Sequence, residues 1–150
     1  MKTEPGTYSI DDLAGEKDQT TCWEGVRNYQ ARNLMRDEFQ AGDAVLLYHS
    51  GGKDPAIVGT AVVARPAYPD HFAWDSKSNY FDEKSDPENP RWFMVDVRLD
   101  TIFPSPITLT ALRGESKLKQ MELLRKGSRL SVQPVTKGEF NHIISMAKTA

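Results

Sequence analysis

Phe93-Met94-Val95-Asp96-Val97-Arg98-Leu99 (residues 93–99) is the stretch on which the fold turns. Phe93, Val95, Val97 and Leu99 alternate with Met94, Asp96 and Arg98, and a period of two predicts a half-buried β-strand. Pro104 and Pro106 are expected to end it. Upstream, Gly42-Asp43 turns into Ala44–His49, an apolar strand with a polar tip at Tyr48-His49-Ser50. Ser50–Pro55 reads as a loop, and the β-branched run Ala56–Ala64 as another strand. Gly59 inside that run signals a bend or a close backbone approach. A short strand is also expected over Arg129–Val135.

Helical signals lie between the strands. Ser9 precedes Ile10-Asp11-Asp12, with Asp12 in the capping-box place where Glu or Gln is usual. Residues 26–39 contain no Gly or Pro and read as a helix in which Leu34 and Met35 face the core. Leu118, Met121 and Leu124 suggest another over 116–126, stopped by Gly127. Thr136-Lys137-Gly138-Glu139 is a capping box for a last helix that buries Phe140, Ile143, Ile144 and Ala147. Strands and helices follow no βαβ rhythm. The prediction is one α+β domain over 1–150, built on a small, partly closed sheet. Residues 65–91 form a long Pro- and Asp-rich connection, but Tyr68, Phe72, Trp74, Tyr80 and Phe81 are too many aromatics for a free linker. They predict a segment lying against the sheet, several rings buried and its acids in solvent.

The 150 residues include 39% apolar and 27% charged ones, enough for a single core under an ordinary surface. No run reaches the roughly 18 apolar residues of a membrane span, no secretory signal follows Lys2, and Cys22 stands alone. These point to a reducing, intracellular setting. Without a Lys/Arg-rich import run, the bacterial cytoplasm is favoured over a nucleus. The net charge is −2, and it is unevenly spread. Six acids occupy 70–88, whereas Lys117, Lys119, Arg125, Lys126 and Arg129 cluster late, and Arg27, Arg32 and Arg36 form a second basic group. If the two basic groups share a face, a local positive patch survives the acidic average.

Most catalytic chemistry lacks its residues. His49, His71 and His142 are scattered without ligand spacing, and the run from Asp75 fails as a calcium loop, with Lys77 at its third position and Tyr80 where glycine is required. No metal or cofactor is expected. No nucleophile elbow, Walker loop or dinucleotide fingerprint is present. Cys22, activated by a histidine, is the remaining nucleophile, although a lone cysteine is more often a small apolar residue.

Polar and aromatic residues gather instead where a core would not place them. Trp23-Glu24-Gly25-Val26-Arg27-Asn28-Tyr29-Gln30-Ala31-Arg32-Asn33 holds two aromatics, three side-chain amides and two arginines. Rings stack on planar ligands, amides match donor and acceptor edges, and guanidinium meets phosphate. Tyr48-His49-Ser50 and the pair Ser131 and Gln133 add hydrogen-bonding side chains at two more places. Taken singly, Trp23 reads as core and Asn28 as a helix cap; only the group points to a site.

The strings KTEP (2–5), WEGVRNYQARN (23–33), RD (36–37), GD (42–43), YHS (48–50), YPD (68–70) and GSRLSVQPVT (127–136) resemble the EVE domain family of the PUA-like superfamily. The resemblance keeps the family's order and covers nearly the whole chain, although its usual aromatic-apolar run before Lys2 is absent, so the first strand is cut short. It implies a small, mixed-sheet PUA-like barrel with flanking helices that binds nucleic acid bearing a modified base, most of all modified cytosine in DNA, without chemistry; a monomer is the separate expectation for its oligomeric state. Carried over by position, Trp23 and Tyr29 would stack on the base. Asn28, Tyr48, Ser50, Ser131 and Gln133 would read its edge. Lys2, Arg27, Arg32 and His49 would meet phosphate or line the rim. RNA is a possible partner as well as DNA. Two other classes stay open: an enzyme acting on a modified nucleobase through Cys22 or His49, and a protein-interaction module using 65–91.

Overall fold

The alternating run at 93–99 begins a longer strand, β5, that spans Phe93–Thr108 in the computed structural model, which describes residues 1–128 and 130–149. Antiparallel to it runs β4 (Ala56–Pro69), which pairs in turn with β3 (Ala44–His49). Two short strands flank these. β1 (Lys2–Thr3) is parallel to the end of β3, and β2 (Thr20–Cys22) is antiparallel to β5. The order β1-β3-β4-β5-β2 makes a five-stranded mixed sheet in an α+β domain. The strand pairings do not close it into a barrel; β1 and β2 are its two edges.

Contrary to expectation, Pro104 and Pro106 do not end β5. Ile57 pairs with Ile107 and Gly59 with Ile102, so residues 103–106 bulge opposite Val58. On the other side β2 reaches no further along β5 than Arg98. A proline in a bulge on an uncovered edge interrupts no ladder. Gly59 sits at this irregularity, where a β-carbon would collide with the Thr101 carbonyl and stand 2.5 Å from Ile10 Cδ1. The close approach signalled by that glycine is present.

Local chemistry fixes the helices. α1 (Ile10–Ala14) starts at Ser9, whose hydroxyl accepts from Asp12 N–H while the Asp12 carboxylate accepts from Ser9 N–H. α2 (Tyr29–Asp37) is shorter than the run 26–39, because residues 23–28 are extended or irregular and Asn28 caps it. α3 (Leu109–Arg113) follows β5, and α4 (Lys137–Thr149) opens with the Thr136/Glu139 box, both hydrogen bonds made. Two predictions fail. Residues 116–126 form two 3₁₀ turns, Ser116–Leu118 and Glu122–Leu124, since apolar residues three apart suit a three-residue turn better than an α-helix. The strand expected over 129–135 is absent from residues 130–135, and Arg129 lies outside the described residues. That segment is tied to β1 by Lys2 N–H, which donates to the Ser131 carbonyl at 2.8 Å.

β3 is buried on both faces. Val45 and Leu47 pack in one cluster with Ile10 and Leu13 of α1 and Ala31 and Met35 of α2. Leu46 and Tyr48 pack on the other side with Leu112, Leu118, Ile143 and Ala147. Each such side chain stabilises the fold by about 1.5–3 kcal/mol relative to exposure, so the strand is anchored from both layers.

The long connection is ordered differently from expectation. Its first residues, 65–69, are still β4. Tyr68, Phe72, Trp74 and Tyr80 are half-buried and Phe81 is exposed, so none of the five rings is fully enclosed. Nor are all its acids in solvent, because Asp70 is 0% exposed. Three others fold the backbone: Asp75, Asp82 and Asp86 each accept from the N–H two residues on.

Candidate functional site

Because β1 and β2 do not pair with each other, the sheet has a seam, and a cavity of about 400 Å³ lies along it. Lys2 and Thr3 of β1, Thr21 and Cys22 of β2, and the following Trp23–Val26 line it, joined by Thr7, Tyr8, Asn79, Tyr80 and Ser131. Its size falls in the range of small-ligand sites. A larger, open groove of about 870 Å³ runs between α2, the start of β3 and residues 132–135. Leu34, Phe39, Val45, Val132, Val135 and Phe140 make that groove mainly apolar, and it holds none of the aromatic cluster around Trp23. The seam cavity, with rings and polar groups together, is the better match to a planar, hydrogen-bonding ligand.

Trp23 is set by the strand before it. Its N–H donates to the Val95 carbonyl at 2.7 Å, prolonging the β2–β5 pairing by one residue. The indole is half-buried against the core and meets Tyr8 edge-on, with centroids 6.2 Å apart at 86°. Gly25 then adopts φ +83°, and a β-carbon there would stand 2.5 Å from the Tyr80 ring. Only glycine lets that ring lie on the backbone and wall the cavity. The Asp70 carboxylate holds this arrangement, accepting from Gly25 N–H at 3.0 Å, Phe72 N–H at 3.0 Å and the Arg27 guanidinium at 2.9 Å. Arg27 in turn donates twice to the Tyr80 carbonyl, at 2.6 and 3.2 Å.

Of the eleven residues singled out from the sequence, the cavity brings together Lys2, Trp23 and Ser131. The others are engaged elsewhere. The Asn28 side-chain oxygen accepts from Ala31 N–H as the cap of α2. Tyr29, 52% exposed, stacks on Trp92 at 4.9 Å, with the Arg32 guanidinium 4.8 Å from its own ring centre. Arg32 also donates to the Arg91 carbonyl. Arg27 is bound to Asp70. Tyr48 is buried in the cluster beside α4, and Ser50 N–H donates to Thr3, closing the β1–β3 ladder. His49 Nε2 accepts from Ile10 N–H at 3.0 Å, so it caps α1 rather than offering charge at a rim. Gln133 donates to Leu130 and Ser128 and borders the larger groove. The sequence reading missed Tyr8, Glu24, Asn79 and the buried Asp70. Tyr80 had appeared only as one aromatic of the connection and as the residue that breaks a calcium-loop pattern.

Three of the clustered basic residues have acidic partners: Arg27 pairs with Asp70, Arg36 with Asp37 at 2.8 Å and Arg125 with Glu122 at 2.9 Å. In the cavity, burial pulls the Lys2 ammonium below its usual pKa. Burial first, then the Glu24 carboxylate, pushes the Cys22 thiol up to about 11. A protonated thiol is the opposite of an activated nucleophile.

A family model for the EVE domain matches residues 1–146. Chicken thymocyte nuclear protein 1 is 41% identical over 147 residues, covering 93% of this chain and 60% of the chicken protein. The chain thus spans less than two thirds of that relative. A hypothetical protein of Leishmania major has a solved structure that superposes with a TM-score of 0.93 at 45% identity, covering 99% of this chain and 92% of the other. The human THYN1 protein, solved in complex with 5-methylcytosine-containing DNA, superposes with a TM-score of 0.91 at 38% identity, over 99% and 95% of the two chains. Family, sequence and fold agree from end to end, and the chain belongs to the EVE domain family.

Proposed function

We propose that this protein is a non-enzymatic reader of modified cytosine in DNA, which takes the base into the cavity at the seam of the sheet. The observation that carries the reading is the pairing of that cavity with the human relative's complex with 5-methylcytosine-containing DNA. In this reading the curved sheet acts as the partly closed barrel of the PUA-like superfamily, with the base entering where β1 and β2 fail to meet. Trp23 stacks on the base, Tyr8 and Tyr80 brace it, and Lys2 and Ser131 contribute polar contacts from the β1 side. Tyr29, stacked on Trp92 under Arg32, offers an exposed ring outside the cavity for a flanking nucleotide.

Energetics favour distorted or single-stranded substrate. Stacking gives roughly 1–3 kcal/mol per base, while extruding a base from duplex costs a few kcal/mol. With a net charge of −2 and Arg27, Arg36 and Arg125 each paired to a carboxylate, the protein has less counterion release to offset that cost. An enzymatic reading through Cys22 gains no support from a thiol held protonated beside a carboxylate.

Fluorescence anisotropy with single-stranded and duplex DNA, differing only in one cytosine or 5-methylcytosine, tests the proposal, with matched RNA as a further arm. The methylated strand binds more tightly, and single strand more tightly than duplex. Trp23→Ala remains folded and loses roughly 5- to 150-fold in affinity, the equivalent of one stacked base. Affinity indifferent to methylation and falling only with salt would overturn the reading.

A further inference from the structure

Glu24 follows the stacking tryptophan directly and lines the same cavity. Its partner is weak: the Cys22 thiol donates to Oε2 at 3.6 Å. Among the described residues it makes no ion pair, although Lys2 borders the same space. A half-buried carboxylate without an ion pair keeps most of its acceptor capacity for something else. A carboxylate accepts hydrogen bonds at both oxygens and donates none. The thiol stays protonated at neutral pH because burial and the carboxylate itself raise it, so Cys22 remains a donor that steadies one oxygen. Among the described residues the other oxygen has no hydrogen-bond partner, which leaves it available to a ligand.

We infer that Glu24 is the specificity-determining residue of the cavity, accepting from the exocyclic amino group of the bound base and thereby selecting cytosine-type over thymine-type edges. The inference rests on the modified-base reading above and sharpens it. Cytosine presents an amino donor at position 4, where thymine presents a carbonyl. A carboxylate attracts the first and repels the lone pairs of the second. 5-Methylcytosine and thymine carry the same ring methyl and stack alike, so a preference between them is read along the edge at positions 3 and 4. Without such a group, a cavity that reads a methylated pyrimidine by stacking and shape would also capture every thymine in DNA. A reader of rare modified cytosines needs a device against the commoner base.

The test measures affinity for single-stranded DNA with cytosine, 5-methylcytosine or thymine at one position, for the wild type and Glu24→Gln. The wild type prefers 5-methylcytosine over thymine by about tenfold or more, the scale of one good edge contact. Glutamine has nearly the same shape and can turn either its oxygen to an amino group or its nitrogen to a carbonyl. Glu24→Gln therefore keeps its melting temperature, while its preference for 5-methylcytosine over thymine falls to about one. A wild type that prefers 5-methylcytosine to cytosine but binds thymine equally well overturns this inference and leaves the modified-base reading standing. So does a glutamine variant that still rejects thymine. A wild type with no preference among the three bases removes both.

Discussion

His49 carries the clearest consequence for a single side chain. Its Nε2 is an acceptor for Ile10 N–H and must be unprotonated to serve, and burial lowers its pKa, with Asp11 acting weakly the other way. The unfolded chain titrates this ring near 6.5. Between that value and the lower folded one, the unfolded state binds more protons, so stability rises with pH. The contribution is complete above the unfolded pKa and disappears as pH falls through the folded one. The melting temperature should therefore drop on acidification from pH 7.5 towards 5. His49→Gln, whose amide oxygen can accept the same N–H without titrating, should show a shallower drop. Equal slopes for the two proteins, recorded by thermal melts across that range, would remove the role. Such a ring looks like a phosphate ligand in the sequence only because its true partner is the first N–H of a helix 39 residues away.

At the scale of elements, α2 offers a direct choice between two roles for one residue. Asn28 accepts from Ala31 N–H, and losing an N-cap costs about 0.5–2 kcal/mol. Asn28→Ala should lower stability by that amount in urea melts and leave the preference for 5-methylcytosine over cytosine unchanged. A loss of preference with unaltered stability would return Asn28 to the base edge. This contrast explains what the sequence made legible. Caps and capping boxes at Ser9 and Thr136 are local, made by side chains three residues from their partners, and each reads correctly. The alternation at 93–99 is local too. The bulge that absorbs Pro104 and Pro106 depends on the register with β4, and residues 130–135, tied to β1 through the Ser131 carbonyl, form no strand. Trp23, Lys2 and Ser131 come from three distant segments and were selected as residue types suited to a base. Nothing in the spacing told that Tyr48 would turn into the core or that Tyr8 would line the cavity.

For the molecule as a whole, Asp70 joins what the chain separates. Completely buried, it links the loop after β2 to the connection between β4 and β5 across more than 40 residues, through Gly25 and Arg27. Arg27 passes the link on to the Tyr80 carbonyl, and Trp92 closes the far end by donating to Asp82 at 2.7 Å. The connection is thereby part of the fold and of the cavity wall at once. Removing one member of a buried ion pair costs about 3–5 kcal/mol, and the Arg27 side chain, 23% exposed, recovers some hydration, which sets the expectation near the lower figure. Against a total of roughly 5–15 kcal/mol, Asp70→Ala should still fold. Its loss falls on residues 70–92, which should become open to limited proteolysis and fast amide exchange while β3, buried on both faces, stays protected. If the proposed reading holds, Tyr80 freed of its clasp leaves the cavity wall, so preference for 5-methylcytosine should weaken together with protection of the connection. Arg27→Ala added to Asp70→Ala should cost less than the two single losses summed, because the second change removes a charge the first left unpaired. Additive losses, or a connection as resistant to protease as the wild type, would show that the rings and turns of 70–92 hold that segment without the buried carboxylate.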